Sequence, residues 1–217
     1  MRSKENSIEA ALSRGGAKRG KETTSTERRG AADAAARLTR RIAAEGLADV
    51  TYAPAESPFG TLLLAATRRG LVRLAFPEES LEAMLERLAR RISPRIVEAH
   101  GQLDGARREL DEYFSGRRRE FDLALDRTLM SPFAQRVLRV TSEIPYGGVL
   151  SYAEVAADAG SPRGFRAAGN ALGSNPLPIV VPCHRVLRSG GSLGGYGGGL
   201  ERKRWLLTLE GARVPAS

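Results

Sequence analysis

Cys183 is the one cysteine among 217 residues, and His184 beside it is one of only two histidines. They lie in PIVVPCHRV, where an apolar run ends between a proline and an imidazole, so the sulfur is expected at a turn and presented at a surface. The thiolate rather than the thiol is the nucleophile, and a free thiol of pKa ~8.5 is only partly ionised at neutral pH. An adjacent imidazole can take that proton, directly or through a water, provided a third group orients the ring. Glu210, which closes the last helical segment, is an acidic candidate for that third group. Free cysteines more commonly end as inert core residues, and one Cys with two His does not complete a structural zinc site, so no metal is expected.

Three other features can join this chemistry. In SYAE, Ser151 and Glu154 have the spacing of a capping box, which sets Tyr152 at the first helical position near the positive end of the helix dipole. In SPRGFRAAGNALG, Ala167, Ala168, Gly169 and Ala171 leave a helix almost without side-chain bulk. Such a helix more often packs tightly in a core than brings its backbone close to a partner, and Arg166 in its midst weighs back towards the partner. The loop GSLGGYGGG, residues 191–199, lacks the GKS or GKT of a phosphate loop and the strand–GxGxxG–helix setting. It reads as a mobile or close-packed loop that lets its backbone meet a flat ligand, with Tyr196 as its one large side chain.

These residues need elements to hold them. Residues 1–30 are charged and poor in large apolar side chains, which predicts a disordered tail. AADAAARLTRRIAAEG then predicts a short helix with Leu38 and Ile42 on one face and Gly46 as its stop. VTYAPAESPFGTLLLAATRRGLVRLAF reads as strands separated by Pro, Gly and TRRG turns. ESLEAMLERLARRI follows with Leu81, Met84, Leu85, Leu88 and Ile92 at helical spacing, and ARRELDEYF predicts another helix. The triple arginine at 117–119 reads as a solvated surface run. From 131 onward the signals are helix starts: Ser131 as cap with Pro132 first, and Phe133, Val137 and Val140 on one face. After the PYGG turn comes the SYAE helix, then GSP at 160–162 as a tight turn, then Ser161 as cap, Pro162 first and Gly173 as stop for the next helix. That pair is a helix-turn-helix pattern. LERKRWLLTLEG predicts a last helix with Trp205, Leu206 and Leu209 buried.

The net charge of +9 is uneven. Residues 1–46 hold 11 Lys and Arg against 6 Asp and Glu, residues 47–130 hold 13 against 14, and residues 131–217 hold 10 against 5. A basic C-terminal third suits a polyanion, although charge alone indicates only non-specific nucleic-acid affinity. No window approaches the ~20 apolar residues of a membrane helix, and no secretory signal is evident, so no membrane partner and a cytoplasmic location are expected.

IPYGGVLSYAEVA, RAAGNALGSNP, PIVVPCHRV and GYGGGLERKRWLLTLEG, in this order, resemble the O6-alkylguanine-DNA alkyltransferases, the methylated-DNA–protein-cysteine methyltransferases. The likeness is close over residues 131–211 and looser over 47–127. It implies an α/β, ribonuclease H-like domain at 47–127 and a mainly α domain at 131–217 whose helix-turn-helix binds the minor groove, with 1–46 as an extension. The implied reaction moves an alkyl group from O6 of a flipped guanine, or O4 of thymine, in double-stranded DNA to Cys183, once per chain, in a monomer without cofactor. By resemblance Cys183 is the acceptor, His184 acts through a water, Glu210 orients it, Tyr152 donates a proton to the leaving guanine, and Asn175 is the hinge between recognition helix and active-site loop. Arg166 fills the vacated base stack, with Ala167, Ala168 and Gly169 beside it on the DNA. The Val186 carbonyl reads the guanine amino group, and Tyr196 is the lid. Gly197 stands where some members carry a serine near guanine O6, so a donor there must be a backbone N–H. Two other classes remain: a lesion-binding module with an inert Cys183, and a Cys-His hydrolase that turns over repeatedly.

Overall fold

The computed structural model describes residues 47–212 and, before them, Arg29, Gly30, Asp33, Ala34, Arg37 and Arg41, all six helical. The rest of the expected tail lies outside the described residues, as do Leu38, Ile42 and Gly46; Arg29 and Gly30, expected in the tail, belong to a helix. The unit that spans residues 39–217 holds Cys183 with the sheet and helices that position it.

Strands β1 (Val50–Ala55), β2 (Leu62–Thr67) and β3 (Gly70–Ala75) form an antiparallel meander, with the TRRG turn closing β2 onto β3. A short strand β4 (Ile96–Glu98), which the sequence pattern does not signal, pairs parallel to β1 and completes the sheet order β3-β2-β1-β4. The alternation along β2 sets the two faces: Leu62, Leu64 and Ala66 point one way, Leu63 and Ala65 the other. A bulge at Ala65/Ala66 shifts the β3 register, so that Leu71 and Leu74 share the first face while Val72 joins the second.

Helix α1 (Leu81–Arg91) covers the second face with Met84 and Leu88, while Leu81 at its start is exposed. Helix α2 (Asp104–Phe114) covers the first face with Ala106, Leu110 and Tyr113. Arg117–Arg119 come after it at the surface as expected, Arg117 and Arg118 pairing with Asp111 and Glu112.

The second half is helical. Helix α3 (Pro132–Ser142) starts at the expected position, its Ser131 cap accepting from the Ala134 N–H at 3.2 Å. Its most buried stripe is Ala134, Val137, Leu138 and Thr141, with Phe133 and Val140 only partly covered. Helix α4 (Tyr152–Asp158) carries the capping box, with both the Ser151 and the Glu154 bonds formed.

Helix α5 (Phe165–Gly173) begins three residues later than predicted. The Ser161 N–H still donates to Ala156 O at 2.8 Å, completing the end of α4, so the chain has not yet turned at Pro162. Ser161 to Gly164 closes a turn, Gly164 becomes the cap, and Arg166 stands in the first turn of α5 rather than its middle.

Helix α6 (Leu200–Leu209) buries Lys203, Leu206 and Leu207 on one stripe, which its C-cap Glu210, also buried, continues. Trp205 was expected inside but is 37% exposed, its indole edge-on to Phe59 at 5.0 Å, and Leu209 is half-buried. The i, i+3, i+4, i+7 row of a helix leaves no room for position 205 on the inner face.

The core is continuous across both halves, with Leu62, Leu64, Leu74 and Tyr113 of the first in one cluster with Val137, Val155, Leu177, Cys183 and Leu206 of the second. The Leu74 N–H donates to Pro176 O at 2.8 Å, so the edge strand of the sheet braces the segment that leads to the cysteine. No helix among the described residues is long and apolar enough to cross a membrane.

Candidate active site

Cys183 opens a single 3-10 turn, Cys183–Arg185, which leads into strand β6 (Val186–Leu187). Strand β5 (Leu150–Ser151) pairs with it in parallel, Leu150 opposite Val186 and Ser151 opposite Leu187. That pairing sets the first residue of α4, Tyr152, beside the chain leaving the cysteine. The approach to the turn is constrained. Ile179, fully buried and β-branched, has φ 74°, a conformation such residues rarely adopt. Asn175 holds the bend: its Oδ1 accepts from the Leu177 N–H at 3.0 Å, and its Nδ2 donates to Val181 O at 2.9 Å and to Cys183 Sγ at 3.1 Å.

The sulfur is not on the outer surface as expected; Cys183 is 6% exposed and forms part of the floor of a cavity of about 910 Å³. The apolar residues before it, Leu177, Ile179, Val180 and Val181, are core side chains, which pull the turn inward. Burial pushes the thiol up to about 11, against the smaller opposing pulls of the Asn175 amide and the Lys203 ammonium.

His184 is fully buried. Its Nε2 lies 2.9 Å from Glu210 Oε1, whereas Nδ1 has no partner among the described residues. Burial lowers the imidazole's proton affinity more than Glu210 raises it, so the ring is neutral. With the proton on Nε2 facing the carboxylate, Nδ1 is a free acceptor.

Glu210 is the hub of the site. Burial would raise its carboxyl, but the hydrogen bonds from His184 and Arg185 outweigh this and hold it at about 2. Arg185 donates through Nε at 2.8 Å and Nη2 at 2.9 Å, Tyr113 Oη donates at 2.7 Å, and the Gly147 N–H at 3.3 Å. Gly147 has φ 76°, and a Cβ there would stand 2.8 Å from Glu210 O, which explains the glycine of the PYGG turn.

Arg185, Tyr113 and Lys203 were not singled out by the sequence pattern. Buried Lys203 donates from Nζ to Val186 O at 2.6 Å, to Gly195 O at 3.3 Å and to Leu193 O, tying the chain after the cysteine to the glycine loop. Burial lowers this ammonium to about 8. Its place three residues before Leu206 and seven before Glu210 was the available signal.

The cavity brings together Cys183, Tyr152, Arg166, Gly169, Tyr196 and Gly197. The Tyr152 hydroxyl donates to Gly195 O at 3.1 Å, and burial raises its pKa, so it is a protonated phenol. Tyr196 stands edge-on to His184 at 6.4 Å with its hydroxyl buried and without a partner among the described residues. The loop is close-packed: a Cβ at Gly198 would sit 2.5 Å from the Phe76 ring. The Val186 side chain is in the core, and its carbonyl already accepts from Lys203, leaving one lone pair for a ligand.

On α5, Arg166 and Ala167 are exposed and Gly169 lines the cavity. Ala168 is fully buried against the core and cannot offer its side chain to DNA, which corrects the reading of Ala167–Gly169 as one surface. A helix turns by about 100° per residue, so three successive positions cannot share a face.

Two family models match the chain: the ribonuclease-like domain of 6-O-methylguanine DNA methyltransferase over residues 50–127, and the DNA binding domain of the same family over 132–212. A methylated-DNA–protein-cysteine methyltransferase of Mycolicibacterium paratuberculosis is 42% identical over 168 residues, covering 77% of this chain and 96% of that protein. The constitutive protein of that name from Bacillus subtilis is 37% identical, covering 73% and 94%. Among solved structures, Mycobacterium tuberculosis OGT in complex with DNA superposes with a TM-score of 0.65 at 41% identity, covering 76% of this chain and 96% of that one.

Proposed function

Because the chain belongs to the 6-O-methylguanine DNA methyltransferase family, with its ribonuclease-like α/β half and its helical DNA-binding half, we propose that it repairs alkylated DNA by moving the alkyl group from guanine O6 to Cys183, once per molecule. The observation that carries this reading is the free Nδ1 of a neutral, buried His184 whose other nitrogen is fixed by Glu210, next to a cysteine that floors a cavity.

In this reading the damaged nucleotide leaves the duplex and enters the cavity, since an O6 substituent inside the stack is beyond reach of a buried sulfur. The thiol proton passes through a water to His184 Nδ1, and Glu210 stabilises the imidazolium. Sulfur attacks the alkyl carbon, the S–C bond forms as the C–O6 bond breaks, and the electron pair goes to guanine. The Tyr152 phenol gives a proton to the leaving base and regains one from the imidazolium through water, so the thiol proton ends on guanine and both side chains return to neutral. A thioether has no low-energy route back to thiolate, so the chain is used once. Arg166, at the start of α5, occupies the gap left in the stack. O4-alkylthymine is the companion lesion for the same cavity. The protein acts as a cytoplasmic monomer, with 47–127 and 131–217 as its two domains and 1–46 as an extension.

Intact mass after incubation with duplex DNA containing O6-methylguanine tests this. The protein should gain one alkyl group, on Cys183, with repaired DNA capped at one equivalent. Tight lesion binding with no mass change would leave the lesion-binding module, and steady multiple turnover would leave the hydrolase.

A further inference from the structure

Phe165 is a large aromatic for which the fold provides little cover. It is 48% exposed, and among the described residues its ring partner is the Arg166 guanidinium, 5.7 Å from the ring centroid. The other exposed aromatic, Trp205, is by contrast packed against Phe59 and Phe114. Phe165 is also the first residue of α5 and lines the same cavity as Cys183 and Tyr152. That cavity's lining carries Arg166 and Arg188 and no carboxylate. An exposed ring coupled to a cation on a rim without acidic groups is suited to a partner that has both negative charge and flat apolar faces, as a nucleic acid has.

We propose that Phe165 is a second wedge for duplex DNA: its ring stacks on the base pair bared when the damaged nucleotide leaves, while Arg166 takes the vacated place. The inference rests on the proposed reaction at Cys183 and goes beyond it, since neither the nucleophile nor its relay touches this ring. Extruding a base exposes the face of its neighbour, and apolar side chains inserted at such steps offset the lost stacking. The contact between ring and guanidinium makes the two side chains one composite plate, so that Phe165 also fixes the direction in which Arg166 enters.

The test uses the full chain and the variants Phe165→Ala and Phe165→Trp, with melting temperatures to confirm folding. Single-turnover rates are measured on an O6-benzylguanine duplex at sub-saturating protein and on free O6-benzylguanine. Loss of one aromatic stack should slow the alanine variant on duplex by about 5- to 150-fold. That loss should exceed its loss on the free base by at least about fivefold, and the tryptophan variant should recover most of the duplex rate. Its added fluorescence, over the Trp205 signal of the parent protein, should be quenched on lesion duplex more than on undamaged duplex. Equal losses on both substrates would mean that Phe165 shapes the base pocket, and no loss on duplex would mean that it is idle; either overturns the proposal. A parent protein that transfers nothing from either substrate would overturn the reading of Cys183 beneath it.

Discussion

Replacing Glu210 with glutamine removes one charge and leaves donors from Tyr113, His184, Arg185 and Gly147 facing a neutral amide. The substitution carries two costs, and they are separable. Arg185, whose side chain is 7% exposed, loses its counter-ion, and breaking a buried pair in this way costs about 3–5 kcal/mol. For a chain of this size that lowers Tm by roughly 6–20 °C. The second cost is chemical. With the thiol pushed up to about 11, little of it is thiolate at pH 7, so by the proposed route transfer depends on the imidazole taking the proton. Without the carboxylate, His184 loses both its orientation and the stabilisation of its charged form. Single-turnover transfer from saturating lesion duplex at pH 7 and 15 °C should therefore fall about 100- to 10,000-fold. The variant's residual rate should climb about tenfold per pH unit up to pH 9, as hydroxide replaces the relay, while the parent's rate changes little. DNA affinity, set elsewhere, should shift far less than the rate. A folded variant that reacts within threefold of the parent, with the same pH profile, would refute the relay.

Stability should fall with acid in two stages. Burial lowers the His184 pKa from its usual 6.5, so the unfolded chain binds the extra proton and stability declines as pH drops below 6.5; Glu210, at about 2 when folded and 4.5 when unfolded, adds a loss between those limits, which melts from pH 8 to 2 would trace. Lys203→Met should cost about 2–4 kcal/mol in denaturant unfolding by stranding the carbonyls of Val186, Leu193 and Gly195, and should slow transfer from free base and duplex alike. Arg166→Ala should slow duplex repair even at saturating DNA while sparing free O6-benzylguanine; full recovery at saturation would reduce Arg166 to a phosphate contact. Removing residues 1–46, which carry a net +5, should weaken binding to undamaged DNA and flatten its salt dependence, and equal slopes would show a passive extension.

What could be read without coordinates was mostly what is local. The Ser131 cap, the Ser151–Glu154 box and the TRRG turn each arise from side chains that satisfy nearby backbone groups, so a few adjacent letters suffice. Cys183 and His184 were named because cysteine and histidine are rare in this chain, and Glu210 as an acidic group closing the last helix; the fold does bring His184 and Glu210 into contact. Arg185 and Lys203 escaped notice because arginine and lysine are ordinarily solvated. Only the tertiary fold, by closing the glycine loop and the Ile144 turn over them, makes them internal. Tyr113 reaches Glu210 from 97 residues away, a distance no motif spans. Ser161 and Pro162 misled for a related reason: Ser161 still closes the end of α4, a further turn from Ser161 to Gly164 follows, and the helix starts only after it.

The depth at which Cys183 sits also bears on how long an unused molecule lasts. Thiolates, not thiols, are what peroxides oxidise and soluble electrophiles capture, and exposure to them is cumulative. In a protein that reacts once by the proposed route, each stray modification of the only cysteine is a permanent loss. A sulfur 6% exposed and protonated at rest is poorly visible to reagents that diffuse in alone. In the proposed reaction the relay through His184 matters only when a base fills the cavity and aligns its alkyl carbon with the sulfur. Dormancy between encounters is thus built from the same burial that makes the relay necessary.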